Sequence, residues 1–141
     1  MLDAYRDLID DLLDTPNVIR GAFAAENGGD GSPEAKRLIA TLRDRDRAVL
    51  ARVQTVTRQD SPYLPALRLE EPSADEAMPA LLEAMDTARG DLVSLLINMS
   101  LKDWDRPAIH ETDGEITLAD EVERHVEFDE DVRRRLQQLQ S

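Results

Sequence analysis

Apolar residues return every three or four positions in four separate stretches of this chain, with Pro, Gly or Ser in the segments between them. That period belongs to one face of an α-helix; the face of a strand repeats every second residue. The first stretch carries Leu2, Tyr5, Leu8, Ile9, Leu12 and Leu13. Thr15-Pro16 interrupts it, and because Pro is well tolerated at a first helical position, a kink or a restart running to about Ala25 is expected. Asn27-Gly28-Gly29-Asp30-Gly31 reads as a loop. Ser32 then caps a second helix with Pro33 in its first turn, and Leu38, Leu42, Val49, Val53 and Val56 form its stripe. Ser61-Pro62-Tyr63-Leu64-Pro65 ends it and opens a loop.

Ser73-Ala74-Asp75-Glu76 has the pattern of a capping box and predicts the start of a third helix carrying Met78, Leu81, Leu82, Met85, Leu92, Leu95, Leu96 and Met99. Gly90 is a weak point in it, costing about 1 kcal/mol relative to Ala. Residues 102–114 read as a third loop. Thr117 caps the fourth helix with Asp120 at the third position of its first turn, and Leu118, Val122, Val132 and Leu136 follow at helical spacing. Four such helices joined by short and medium loops predict an all-α four-helix bundle, as one domain over residues 1–141.

The stripe of the last helix contains two polar residues. At about 100° per residue, His125 and Asp129 project into the sector of its four apolar residues. Spaced i and i+4, they stand ~5–6 Å apart at Cβ, close enough to share a metal or a hydrogen bond. A His and a carboxylate aimed at a core must be paired, hydrogen-bonded or bound to something. Asp46 falls inside the stripe of the second helix, with Thr41 near its edge, which makes Asp46 the best third donor. The remaining charges nearby, Arg43, Asp44, Arg45 and Arg47, alternate in sign as a solvated, ion-paired face does.

Composition narrows the function. The formal net charge of −13 argues against nucleic acid and against an anionic membrane surface. No apolar run approaches the ~20 residues of a membrane span, and the first residues lack the basic and apolar regions of a signal peptide, so a soluble cytoplasmic protein is expected. With no Cys, neither a disulfide nor thiolate ligation of zinc is available.

Several features in order resemble the DinB-like (damage-inducible, YfiT-like) family of bacterial four-helix bundles. They are Thr15-Pro16 within the opening helix, Ser32-Pro33-Glu34, Ser61-Pro62-Tyr63-Leu64-Pro65, and Trp104-Asp105-Arg106-Pro107-Ala108-Ile109-His110 followed by Gly114-Glu115-Ile116-Thr117-Leu118 and the helix with His125. The resemblance implies a divalent metal, zinc or nickel, on three histidines: one on the second helix and two at i and i+4 on the fourth. Those positions fall on Thr41, His125 and Asp129, of which only His125 is an imidazole. Thr is a poor ligand for such metals. The expected function is therefore a DinB-like protein with a degenerate metal site, Asp46 being its substitute donor, and with no bound cofactor. It would be a small-molecule-binding or interaction module, and a homodimer as the resemblance implies. The alternative is a metal-dependent transferase or hydrolase acting with a low-molecular-weight thiol.

Two further residues have local readings. His110 is expected to order its loop by bonding a nearby backbone group, and Trp104, the single Trp, to plug one end of the bundle. The methionines of the third helix are spaced as gap-filling core residues.

Overall fold

The computed structural model describes residues 3–23 and 31–140. Four long helices dominate: α1 (Asp3–Phe23), α2 (Pro33–Arg58), α3 (Met78–Ile97) and α5 (Leu118–Gln140). Between α3 and α5 lie a single turn of helix, α4 (Leu101–Trp104), and two strands, β2 (Pro107–His110) and β3 (Gly114–Thr117). A third, β1 (Tyr63–Leu64), follows α2. The long helices pack as a ring in the order α1, α3, α2, α5. Helices consecutive along the chain, α1 with α2 and α3 with α5, therefore face each other across the bundle diagonal.

The predicted bundle is present, with local differences. Thr15-Pro16 does not restart the first helix: α1 runs through Pro16, and both residues are buried. The expected ends of that helix at Leu2 and Ala25, and residues 27–30 of the expected loop, lie outside the described residues. Ser32 caps α2 as expected, its Oγ accepting from the Ala35 N–H at 3.1 Å. Ser73 to Glu76 is not the capping box of α3, which begins at Met78 behind Ala77 without a side-chain cap. Glu76 instead accepts from Arg43 Nη1 at 2.9 Å. Thr117 and Asp120 do form a reciprocal cap, at 3.2 and 2.9 Å.

The segments read as loops contain a small sheet of order β1-β2-β3, parallel between β1 and β2 and antiparallel between β2 and β3. Only Ala108 and His110 of β2 turn inward, a period of two too brief to register as a strand in the sequence. Gly114 enters β3 at φ +74°, which favours glycine.

The apolar core is two clusters. One gathers Leu12, Val49, Val53, Leu92, Trp104 and Val126 toward the sheet; the other gathers Ile19, Ile39, Leu42, Met85, Val132 and Leu136 toward the opposite end. On each long helix the two sets are separated by a polar or interrupted turn: Thr15-Pro16, Asp46, Arg89 and Asp129. Trp104 is fully buried and stacked on Tyr5, ring centroids 4.6 Å apart, closing the end of the bundle near the sheet.

Candidate functional site

That polar layer holds the candidate site. Every α-helical carbonyl looks four residues ahead for its donor, and Pro16 has none to give, so the Leu12 carbonyl is left over inside the bundle. Arg89 of α3 supplies it: Nη1 donates to the Leu12 oxygen at 2.7 Å. The same guanidinium donates to Asp129 of α5 as a fork, Nη1 to Oδ2 at 2.7 Å and Nη2 to Oδ1 at 2.8 Å. Nε donates to Oδ1 of Asp46 on α2 at 3.0 Å, with Nη2 2.9 Å from the same oxygen. Arg89 is 2% exposed, Asp46 0% and Asp129 2%. Burial works against the cation, but the hydrogen bonds it donates to Asp129 and the charge of Asp46 outweigh it and hold the Arg89 guanidinium above its ordinary range.

His125 is fully buried beside this cluster. Arg45 Nε donates to its Nδ1 at 3.1 Å, which makes Nδ1 the acceptor and assigns the ring proton to Nε2. Nε2–H then donates to Asp46 Oδ1 at 2.5 Å, and the 3.5 Å approach of Arg89 Nη2 is a contact between donors. With a neutral imidazole, the cations Arg89 and Arg45 balance the anions Asp46 and Asp129. Asp46 Oδ2 is buried without a hydrogen-bond partner.

Asp46, His125 and Asp129 are thus brought together as side chains, but around an arginine. A divalent metal needs lone pairs from about three protein donors converging on one point. Here His125 has its Nδ1 lone pair on Arg45 and a proton on Nε2, and both Asp129 oxygens and Asp46 Oδ1 are held by Arg89. Among the described residues, no group of three or more His, Asp or Glu side chains is arranged to hold a metal ion. The donors present do not fit the metal that the family resemblance implies. Thr41 lies apart from them, in a groove of about 600 Å³ between α2 and α5 that Leu38, Phe128 and Val132 also line.

Sequence reasoning passed over Arg89 and misplaced Arg45. Arg89 sits four residues after Met85 and three before Leu92, within the α3 stripe. Arg45 does not belong to a solvated face: it is half-buried, and its guanidinium lies over the Phe128 ring at 4.7 Å. The pairing of Arg52 with Glu121 was not foreseen either. They form a buried pair between α2 and α5, Nε to Oε2 at 2.5 Å, and Arg52 Nη1 also donates to the Pro65 carbonyl at 2.5 Å. His110 orders the β2–β3 turn, its Nδ1 accepting from the Thr112 N–H at 3.1 Å. Burial and the neighbouring Arg124 charge push His110 below the usual imidazole value.

No family model and no curated protein matches the chain. Among solved structures it is similar to YfiT from Bacillus subtilis, described as a probable metal-dependent hydrolase with an unusual four-helix bundle topology. The TM-score is 0.71 at 15% sequence identity, over 96% of this chain and 89% of that one. The chain therefore has the YfiT four-helix-bundle fold. No helix among the described residues is long and apolar enough to cross a membrane.

Proposed function

We propose that this chain is a DinB-like bundle protein working as a small-molecule-binding or interaction module, with an internal arginine where relatives of the fold would hold a divalent metal. The observation that carries this reading is the Arg89 guanidinium, bonded at once to Asp46, Asp129 and the Leu12 carbonyl. A resident cation already occupies both carboxylates, so a metal would have to displace a buried, multiply bonded side chain. The protein acts in the cytoplasm as a homodimer, away from nucleic acid and membranes. Exposed apolar side chains such as Val18, Ile97 and Leu101 offer surface for pairing.

Exposure of the purified protein to excess nickel or zinc, followed by desalting and elemental analysis, tests the reading. Well under one equivalent of metal is expected. One equivalent, lost in His125→Ala, would overturn it in favour of a metal-dependent hydrolase or thiol-using transferase. Light scattering after size exclusion tests the dimer, which has twice the 15.8 kDa chain mass; a monomer at every workable concentration removes that part.

A further inference from the structure

The outward faces of the helices differ sharply in charge. On α1, Asp3, Asp7, Asp10 and Asp14 return every three or four residues and are all exposed. On α5, Glu123, Glu127 and Glu130 do the same. A second copy meeting either face would set like charge against like charge, and a formal net charge of −13 opposes self-association over most of the surface. Val18, exposed on α1, stands one turn past Asp14 on that acidic face.

The α2–α5 groove is different. Its acids are Glu34, Glu71 and Asp131, and its lining also holds Arg37 and Arg135. Arg134 joins them from the rim, sharing Asp131 with Arg135 at 2.7 and 3.1 Å, while Arg37 stands 3.9 Å from Glu71. These acids and arginines cancel, so the rest of the chain carries the whole −13. Among them lie the half-buried Leu38 and Phe128, and toward the C-terminal end of α5 Leu139 is 41% exposed. An apolar centre inside a rim of mixed charge is the anatomy of a protein interface. Having both signs, the patch is also complementary to itself, as a twofold contact requires when one surface serves both partners.

We propose that two copies of this chain pair through the α2–α5 groove, Leu139 of each seated in the groove of the other and the arginines of each rim against the acids opposite. This rests on the homodimer reading above and gives it a surface.

Size exclusion with light scattering over a dilution series of the full chain tests it, the dimer having twice the 15.8 kDa chain mass. Leu139→Glu changes an exposed side chain and is expected to raise the dissociation constant roughly 30-fold or more. Arg37→Glu/Arg135→Glu is expected to be a monomer at concentrations where the parent is paired. Arg6→Glu/Arg58→Glu adds the same negative charge at exposed sites on α1 and at the far end of α2, and is expected to stay paired. Glu34→Arg/Glu71→Arg is expected to be a monomer by itself and to form a mixed dimer with Arg37→Glu/Arg135→Glu; both chains remain net negative, so only the swapped faces draw them together. Circular dichroism shows that each variant is folded. A dimer that survives both Leu139→Glu and Arg37→Glu/Arg135→Glu overturns this face and leaves the homodimer reading standing. Equal dissociation of Arg6→Glu/Arg58→Glu, or no mixed dimer, overturns the face as well. A parent that is monomeric at every workable concentration sinks the homodimer reading itself.

Discussion

Pro16 and Arg89 are complementary across the bundle: the proline withholds the N–H that the Leu12 carbonyl would receive, and the guanidinium delivers one at 2.7 Å from a different helix. A Pro inside a helix normally costs ~3 kcal/mol through the missing bond and a ring clash. The bond from Arg89 offsets the first part. Replacing Pro16 with Ala is therefore expected to raise stability by clearly less than that figure, as read from urea unfolding. A gain of the full amount would mean that the Arg89 contact contributes nothing.

Removal of Arg89 should be severe. Arg89→Met keeps most of the volume but leaves Asp46 and Asp129 as buried charges and the Leu12 carbonyl unbonded. Breaking a buried pair in this way costs about 3–5 kcal/mol. Arg89→Lys should recover little, since one ammonium cannot reproduce a fork on Asp129 and two further bonds. Chemical denaturation of the three proteins, compared at the transition midpoint, decides the matter; a loss below about 1 kcal/mol in Arg89→Met would contradict the assignment.

The same deletion frees donors. In Arg89→Ala, Asp46 and Asp129 regain their oxygens while His125 stays beside them, giving two carboxylates and one imidazole around the space left by the guanidinium. Nickel or zinc should then bind near one equivalent and raise the melting temperature of the variant, with no comparable shift in the parent. Isothermal titration calorimetry of both proteins checks this, and an Arg89→Ala protein as indifferent to metal as its parent counts against it.

Acid should weaken the fold through His110. Its folded value lies below the ordinary 6.5, first through burial and then through the charge of Arg124. Below about pH 6.5 the unfolded chain takes up a proton that the folded chain refuses, so stability falls as pH drops through that range; above it the group contributes no pH dependence. His110→Gln should lose this slope. The difference in unfolding free energy between parent and variant is thus expected to narrow from pH 7.5 to pH 5.5, and a constant difference would refute the assignment.

The bundle and most helix boundaries were legible because Leu, Val and Met recur with a period that burial alone explains. The strands were not, since their pattern spans four residues or fewer. Asp46, His125 and Asp129 stood out as polar residues in apolar stripes, and all three are buried together. Arg89 and Arg52 obey the same spacing rule, Arg52 lying three residues after Val49 and four before Val56. They escaped notice because a long arginine in a stripe usually carries its charge out to water. The folded bundle instead gives these two carboxylates inside, Glu121 for Arg52 and Asp46 with Asp129 for Arg89. The left-over Leu12 carbonyl could have been inferred from Pro16 alone, since a helical stripe on both sides of it makes an interior proline.

The polar layer also bears on how the chain assembles. It takes one element from each long helix, and the ring order α1, α3, α2, α5 means that no two helices adjacent in sequence across a diagonal can complete it by themselves. An intermediate lacking α5 would hold Arg89 without Asp129, and one lacking α3 would hold two acids without their cation. The first loses the fork on Asp129 and keeps only the bond to Asp46, and the second buries carboxylates with no cation between them, so partly docked bundles are disfavoured and unfolding should proceed as one cooperative step, with fluorescence of Trp104 and helical circular dichroism tracing the same curve.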